Sequence, residues 1–143
     1  MDTTHVLSKR GQLEKIRDEC FENVKLYKKK YKKTKIKDDV IESFNALLNA
    51  TSITLIVIGF AMPPLLIASA SLSGSHFIIS SIQNKYNLKQ RYLQHSQTMQ
   101  HYDNLGREVN AVLTKNNLSS EQYQTYIEEI NNQLSLIHSN QIF

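Results

Sequence analysis

Apolar residues recur along the first third of the chain at Leu13, Ile16, Cys20, Val24, Tyr27 and Tyr31, in steps of three or four with charged residues between. That spacing predicts one amphipathic helix from about Val6 to Lys33. A short break is expected near Thr34, with Asp38 or Asp39 capping the helix that follows. From Ser43 to Asn84 the pattern vanishes, because no residue in that run carries a formal charge. Periodicity returns at Leu88, Tyr92, Met99, Tyr102, Leu105, Val109, Val112 and Leu113, with His95 filling the gap in the stripe. A long helix ending near Lys115 follows, and Asn116-Asn117 breaks it. The last segment, "NLSSEQYQTYIEEI", predicts a helix with a capping box. Ser119 caps it, Gln122 is its partner three residues on, and Leu118 and Tyr123 form the hydrophobic staple. Its stripe reads Tyr123, Tyr126, Ile127, Ile130, Leu134 and Ile137.

As one helix, the uncharged run would be roughly 63 Å long, about twice the hydrocarbon thickness of a bilayer. Met62-Pro63-Pro64 divides it. Paired prolines remove two amide donors and push the preceding residue out of helical geometry, while Pro64 suits the first position of a new helix. The halves Ser43–Ala61 and Pro64–Asn84 then each have about the 20 residues a spanning helix needs. The expected fold is all-α: an apolar helical hairpin, read as transmembrane, flanked by long amphipathic helices. Three regions follow: 1–42 basic and amphipathic, 43–84 the hairpin with its turn at 62–64, and 85–143 two amphipathic helices with a break at 116–118. Small residues at helical spacing, Ala70 and Gly74 with Gly59 on the first half, would let helices approach closely. The dilution of both halves by Asn49, Thr51, Ser52, Thr54, "SASLSGS" and His76 leaves a buried soluble hairpin as the rival reading.

Charge sharpens the membrane reading. Residues 1–42 hold 12 Lys and Arg against 8 Asp and Glu, and residues 85–143 hold 5 of each, so the net +4 comes from the first third. Most of it lies in "KLYKKKYKKTKIK": Lys25, Lys28, Lys29, Lys30, Lys32, Lys33, Lys35 and Lys37. A lysine run just before an apolar hairpin predicts contact with an anionic lipid surface, and Tyr27 and Tyr31 suit its interface. A solvated face is the plainer reading, and phosphate and base contacts of a nucleic acid are the weakest of the three. Basic flanks on both sides, with Lys85, Lys89 and Arg91 after the run, predict a multi-pass topology with both termini on the cytoplasmic or internal side. Met1 to Lys33 has no apolar h-region, so membrane entry is expected through the internal segment.

Candidate chemistry is sparse. Cys20 falls on the first apolar stripe and reads as packing. His5, His76, His95, His101 and His138 show no metal-ligand spacing, and no glycine-rich phosphate loop is present. Glu128 and Glu129 read as solvated helix charges. No catalytic residue, metal or cofactor is assigned, and an enzyme is not expected.

The order of elements carries one resemblance: a helix bearing lysine and tyrosine, a proline-interrupted uncharged pair, then "KYNLKQRYLQHSQTMQHYDNL" and a capped terminal helix. This layout, from Lys25 to Ile137, resembles the small two-transmembrane helical proteins of large DNA viruses and virus-derived mobile elements. It is more loosely similar to SLATT-type two-transmembrane effector domains. The resemblance implies a membrane-embedded structural or effector subunit without catalytic residues, and it transfers no functional residue. The expected function is therefore a scaffolding subunit of an oligomeric assembly, in a virion or a membrane complex. The expected partners are membrane lipids and further copies of the chain. A pore-forming effector and a soluble helical-bundle interaction module are the alternatives.

Overall fold

A computed structural model describes residues 3–115 and 118–139, with side chains from His5 onward. Those residues form four helices and no strand: α1 (Thr3–Gly59), α2 (Pro64–Tyr86), α3 (Leu88–Leu113) and α4 (Ser120–Ser139). The chain divides into two compact units. One comprises residues 1–29 and 94–143, the other residues 30–93.

The first unit packs the start of α1 against the end of α3 and against α4. Its core is Leu13 and Cys20 from α1, Tyr102, Leu105, Val109, Val112 and Leu113 from α3, and Tyr123, Ile127, Ile130 and Leu134 from α4. These are the stripes that the periodicity marks. Ile16, Val24 and Tyr27 pack against that core from the same face of α1. Tyr27 stacks on Tyr102 with ring centroids 5.8 Å apart, and His95 tilts against Tyr27 at 6.0 Å. At Gly106 of α3, an added Cβ would lie 3.2 Å from the Phe21 ring and 3.3 Å from Cys20 Cβ, so glycine sets the close approach of α3 to α1. The entry to α4 is the predicted capping box. The Ser119 N–H donates to Gln122 Oε1 at 2.8 Å and the Gln122 N–H to Ser119 Oγ at 3.2 Å. Leu118 packs against the core beside buried Tyr123. The break at Asn116-Asn117 lies outside the described residues, between α3 and α4.

The second unit is a helical hairpin. α1 runs without interruption through Thr34, which corrects the expected break there. No Gly or Pro occurs between Gly11 and Gly59, and one β-branched threonine lowers helix propensity only slightly. Asp38 caps nothing: it is buried on the face of α1 that meets α2. The turn lies where the prolines predict it. α1 stops at Gly59, the Met62 N–H bonds back to the Ile58 and Gly59 carbonyls, and Pro64 opens α2. α2 ends at Asn87, whose left-handed backbone (φ 44°, ψ 45°) directs its N–H to the Gln83 and Asn84 carbonyls. Asparagine adopts that conformation more readily than most residues. Helix resumes at once as α3, with the Arg91 N–H donating to the Asn87 carbonyl at 3.0 Å.

Candidate functional site: a polar seam beneath an apolar surface

The inward positions of the hairpin follow a seven-residue repeat. On α1, Asp38, Asn45, Ser52 and Gly59 are buried at intervals of seven, with half-buried Ile41, Leu48 and Leu55 between them. On α2 the inward set is Leu65, Ser69, Leu72, His76, Ile79, Ser80 and Gln83. Helices wound on each other in water place apolar residues at such positions. Here one of the two α1 positions in every heptad is polar or glycine.

The polar groups bond across the seam. The Ser52 and Ser73 hydroxyls lie 2.6 Å apart, and the Ser52 hydroxyl donates to the Ser69 carbonyl at 3.2 Å. Nearer the lysine-bearing end, Asn45 Nδ2 donates to Gln83 Oε1 at 3.2 Å, and Gln83 Nε2 donates to Asp38 Oδ1 at 3.0 Å. Gln83 thereby ties Asp38 to Asn45, two turns apart on α1. Among the described residues, two buried side-chain atoms are left without a partner, and both belong to this seam: Asn45 Oδ1 and His76 Nδ1. Toward the turn the seam becomes apolar. A Cβ added to Gly59 would come within 2.6 Å of Leu66 Cδ2, so the helices meet closely there.

The outer surface is largely apolar, with Asn49, Thr51, Thr54, Ser71, Ser75 and Ser81 exposed among its aliphatic and aromatic residues. Ile53, Ile56, Val57, Ile58, Phe60, Ile67, Phe77, Ile78 and Ile82 all face outward, with Phe60 83% and Ile67 74% exposed. Two helical stretches, within residues 5–59 and 64–113, are long and apolar enough to cross a membrane. Only 11% and 6% of their most apolar windows are buried. The uncharged run is thus not the core of this chain, whose apolar core lies in the first unit.

The sequence-marked residues separate accordingly. All eight lysines from Lys25 to Lys37 are exposed on successive turns of α1. The Lys35 ammonium lies 5.9 Å from the centre of the Tyr31 ring, and that ring meets Tyr92 edge-on at 5.9 Å. Met62, Pro63 and Pro64 sit at the turn, all exposed. Of the small residues expected to pack helices, Gly59 does so; Ala70 and Gly74 face outward, with open space at Gly74. Cys20 is fully buried, and loss of hydration, aided by the Glu19 charge, pushes its thiol up to about 11. Periodicity alone did not mark Asp38, Asn45 and Gln83 as one network. Asp38 and Asn45 stand seven apart on α1, and joining them through Gln83 of α2 required the register of the hairpin. Comparison with protein families, with curated proteins and with solved structures returned no match to this chain.

Proposed function

We propose that the second unit is a transmembrane hairpin and that the chain is a non-enzymatic scaffolding subunit of a membrane-associated oligomeric assembly. The surface of the hairpin carries the reading: its polar contacts lie between the helices, among inward leucines and isoleucines, while isoleucine, valine and phenylalanine side chains stand exposed outside. In water that arrangement leaves a large apolar surface uncovered. In lipid it is the favoured one, because small and polar residues join the helices while aliphatic residues meet acyl chains. α2, with 23 residues, is roughly 34 Å long and matches a bilayer core. The exposed lysines then stand at the membrane surface, where anionic headgroups hold them, and both ends of the hairpin share that side.

The test is fractionation after an alkaline carbonate wash. Retention in the pellet with release only by detergent is expected. Release as a monodisperse helical species would overturn the transmembrane hairpin and leave a soluble module whose apolar surface a partner covers. A pore-forming effector is the second reading, favoured by the two unpartnered polar atoms in the seam. Dye leakage from liposomes separates it from a scaffold, which causes none.

A further inference from the structure

We propose that two copies of the chain pack side by side in the membrane through one exposed face of α1, and that their Asn49 side chains bond to each other within that contact. The contact rests on the transmembrane reading and names the surface through which the copies assemble.

The exposed hydroxyls of the hairpin's outer surface are satisfied within their own helices. Thr51, Thr54, Ser71, Ser75 and Ser81 each donate to the carbonyl four residues back. Asn49 is exposed among them, and its carboxamide has no hydrogen bond to any described residue. The other exposed amide of the uncharged run, Asn84, adjoins Lys85 at the end of α2. Asn49 instead lies about 10 Å along the helix from Glu42, the last charged residue of α1, and about 15 Å short of Gly59. Lipid at that depth offers an amide no partner, and a polar side chain there turns to another helix.

Asn49 belongs to a stripe. Ala46, Asn49, Ile53, Ile56 and Phe60 follow one another at alternating steps of three and four, the spacing at which helices wind on each other, and all are exposed. With 3.6 residues per turn, the stripe lies about a quarter turn around α1 from the inward file of Asp38, Asn45, Ser52 and Gly59, so a helix seated on it leaves α2 in place. The small side chain of Ala46 lets two backbones approach beside Asn49. Copies that share one topology are related by an axis along the membrane normal, so each residue meets its own mate at one depth. An amide carries both donor and acceptor, and two amides across such an axis form two N–H···O=C bonds. That self-complementarity selects a second copy as the occupant, and a lone asparagine among apolar residues fixes the register of the pair. Toward the lysines the same file continues as Glu42 and Asp39, both exposed, and like charges meeting there end the contact at the membrane surface.

The experiment uses the full chain. Retention after a carbonate wash is read first, and a chain that is released overturns the transmembrane reading and this contact with it. For retained protein, equilibrium sedimentation in density-matched detergent micelles measures association at several protein-to-detergent ratios. A dimer is expected. Asn49→Leu is expected to weaken it roughly tenfold, and Asn49→Gln, which keeps the amide, to retain most of it. Leucine makes the segment more apolar, so weaker association of that variant does not come from lost insertion. Equal association of the unsubstituted chain and Asn49→Leu overturns the contact. A monomer at every ratio also overturns it and leaves the face to lipid or to an unlike protein. The face itself is read by oxidative cross-linking of single cysteines in vesicles, in a Cys20→Ala background. Ala46→Cys and Ile53→Cys are expected to give cross-linked dimers, and Leu47→Cys and Ile58→Cys, exposed on other faces of α1, to give none. Cross-linking at the second pair that equals or exceeds the first overturns the contact.

Discussion

Ser52 and Ser73 hold their hydroxyls 2.6 Å apart across α1 and α2, and the Ser52 O–H donates to the Ser69 carbonyl, so its oxygen accepts from Ser73. One side chain thus joins two turns of the opposite helix. In lipid such bonds contribute about 0.6 kcal/mol each on average, because the separated helices find other partners. Ser52→Ala is therefore expected to weaken the hairpin by about 1 kcal/mol. Ser52→Leu, which adds bulk to a seam this narrow, is expected to cost about 2–3 kcal/mol. Reversible unfolding of the chain in mixed detergent micelles measures both. Equal stability of all three proteins would mean that the serine contact does not hold the helices.

The lysine run provides an electrostatic prediction. Each basic residue near an anionic membrane surface contributes about 1 kcal/mol. Changing Lys28, Lys29, Lys32 and Lys33 to Gln is expected to weaken binding to phosphatidylserine-containing vesicles by roughly two to three orders of magnitude at low salt. The loss should shrink as ionic strength shortens the screening length. Sedimentation with vesicles at two salt concentrations reads it. An unchanged affinity would assign these lysines to solvent.

What the sequence made legible follows from physical range. The stripes of the first unit are local patterns, and Leu13, Tyr102 and Ile130 are buried where periodicity places them. The turn at Pro63-Pro64 and the cap at Ser119 are local chemistry and were equally readable. Three features were not. A break was expected near Thr34, but nothing in covalent geometry stops a helix at a lone threonine, and α1 runs through it. The end of α2 at Asn87 depends on an asparagine in left-handed conformation, and an isolated Asn signals that far more weakly than a glycine does. The pairing of Asp38 with Gln83 links residues 45 positions apart, and no local pattern carries that register.

The capping box of α4 is expected to behave as a coupled unit. Ser119→Ala removes the acceptor for the Gln122 N–H and is expected to cost about 1 kcal/mol. Gln122→Ala frees the Ser119 N–H and is expected to cost less, since that group is exposed and water replaces the bond. The double variant should cost less than the sum, because the two bonds order the same turn. Thermal unfolding of the four proteins gives the coupling, and strict additivity would show that the two bonds act separately.

Cys20 supplies a prediction with a defined sign. Its thiol is pushed from 9.0 to about 11, first by burial and then by Glu19, so the folded chain holds this proton more tightly than the unfolded one. The stabilisation is complete below pH 9, where both states are protonated, and is lost as pH rises from 9 through 11. A shift of that size corresponds to at most about 2–3 kcal/mol. Cys20→Ala removes this pH dependence at the cost of a small cavity beside Gly106. Denaturation midpoints measured from pH 7 to 11 should therefore fall more steeply for the unsubstituted chain than for the variant. At pH 8 the folded thiol is expected to resist a disulfide-exchange reagent that labels it promptly in denaturant. Prompt labelling of the folded chain, with parallel pH profiles for the two proteins, would place Cys20 outside the core.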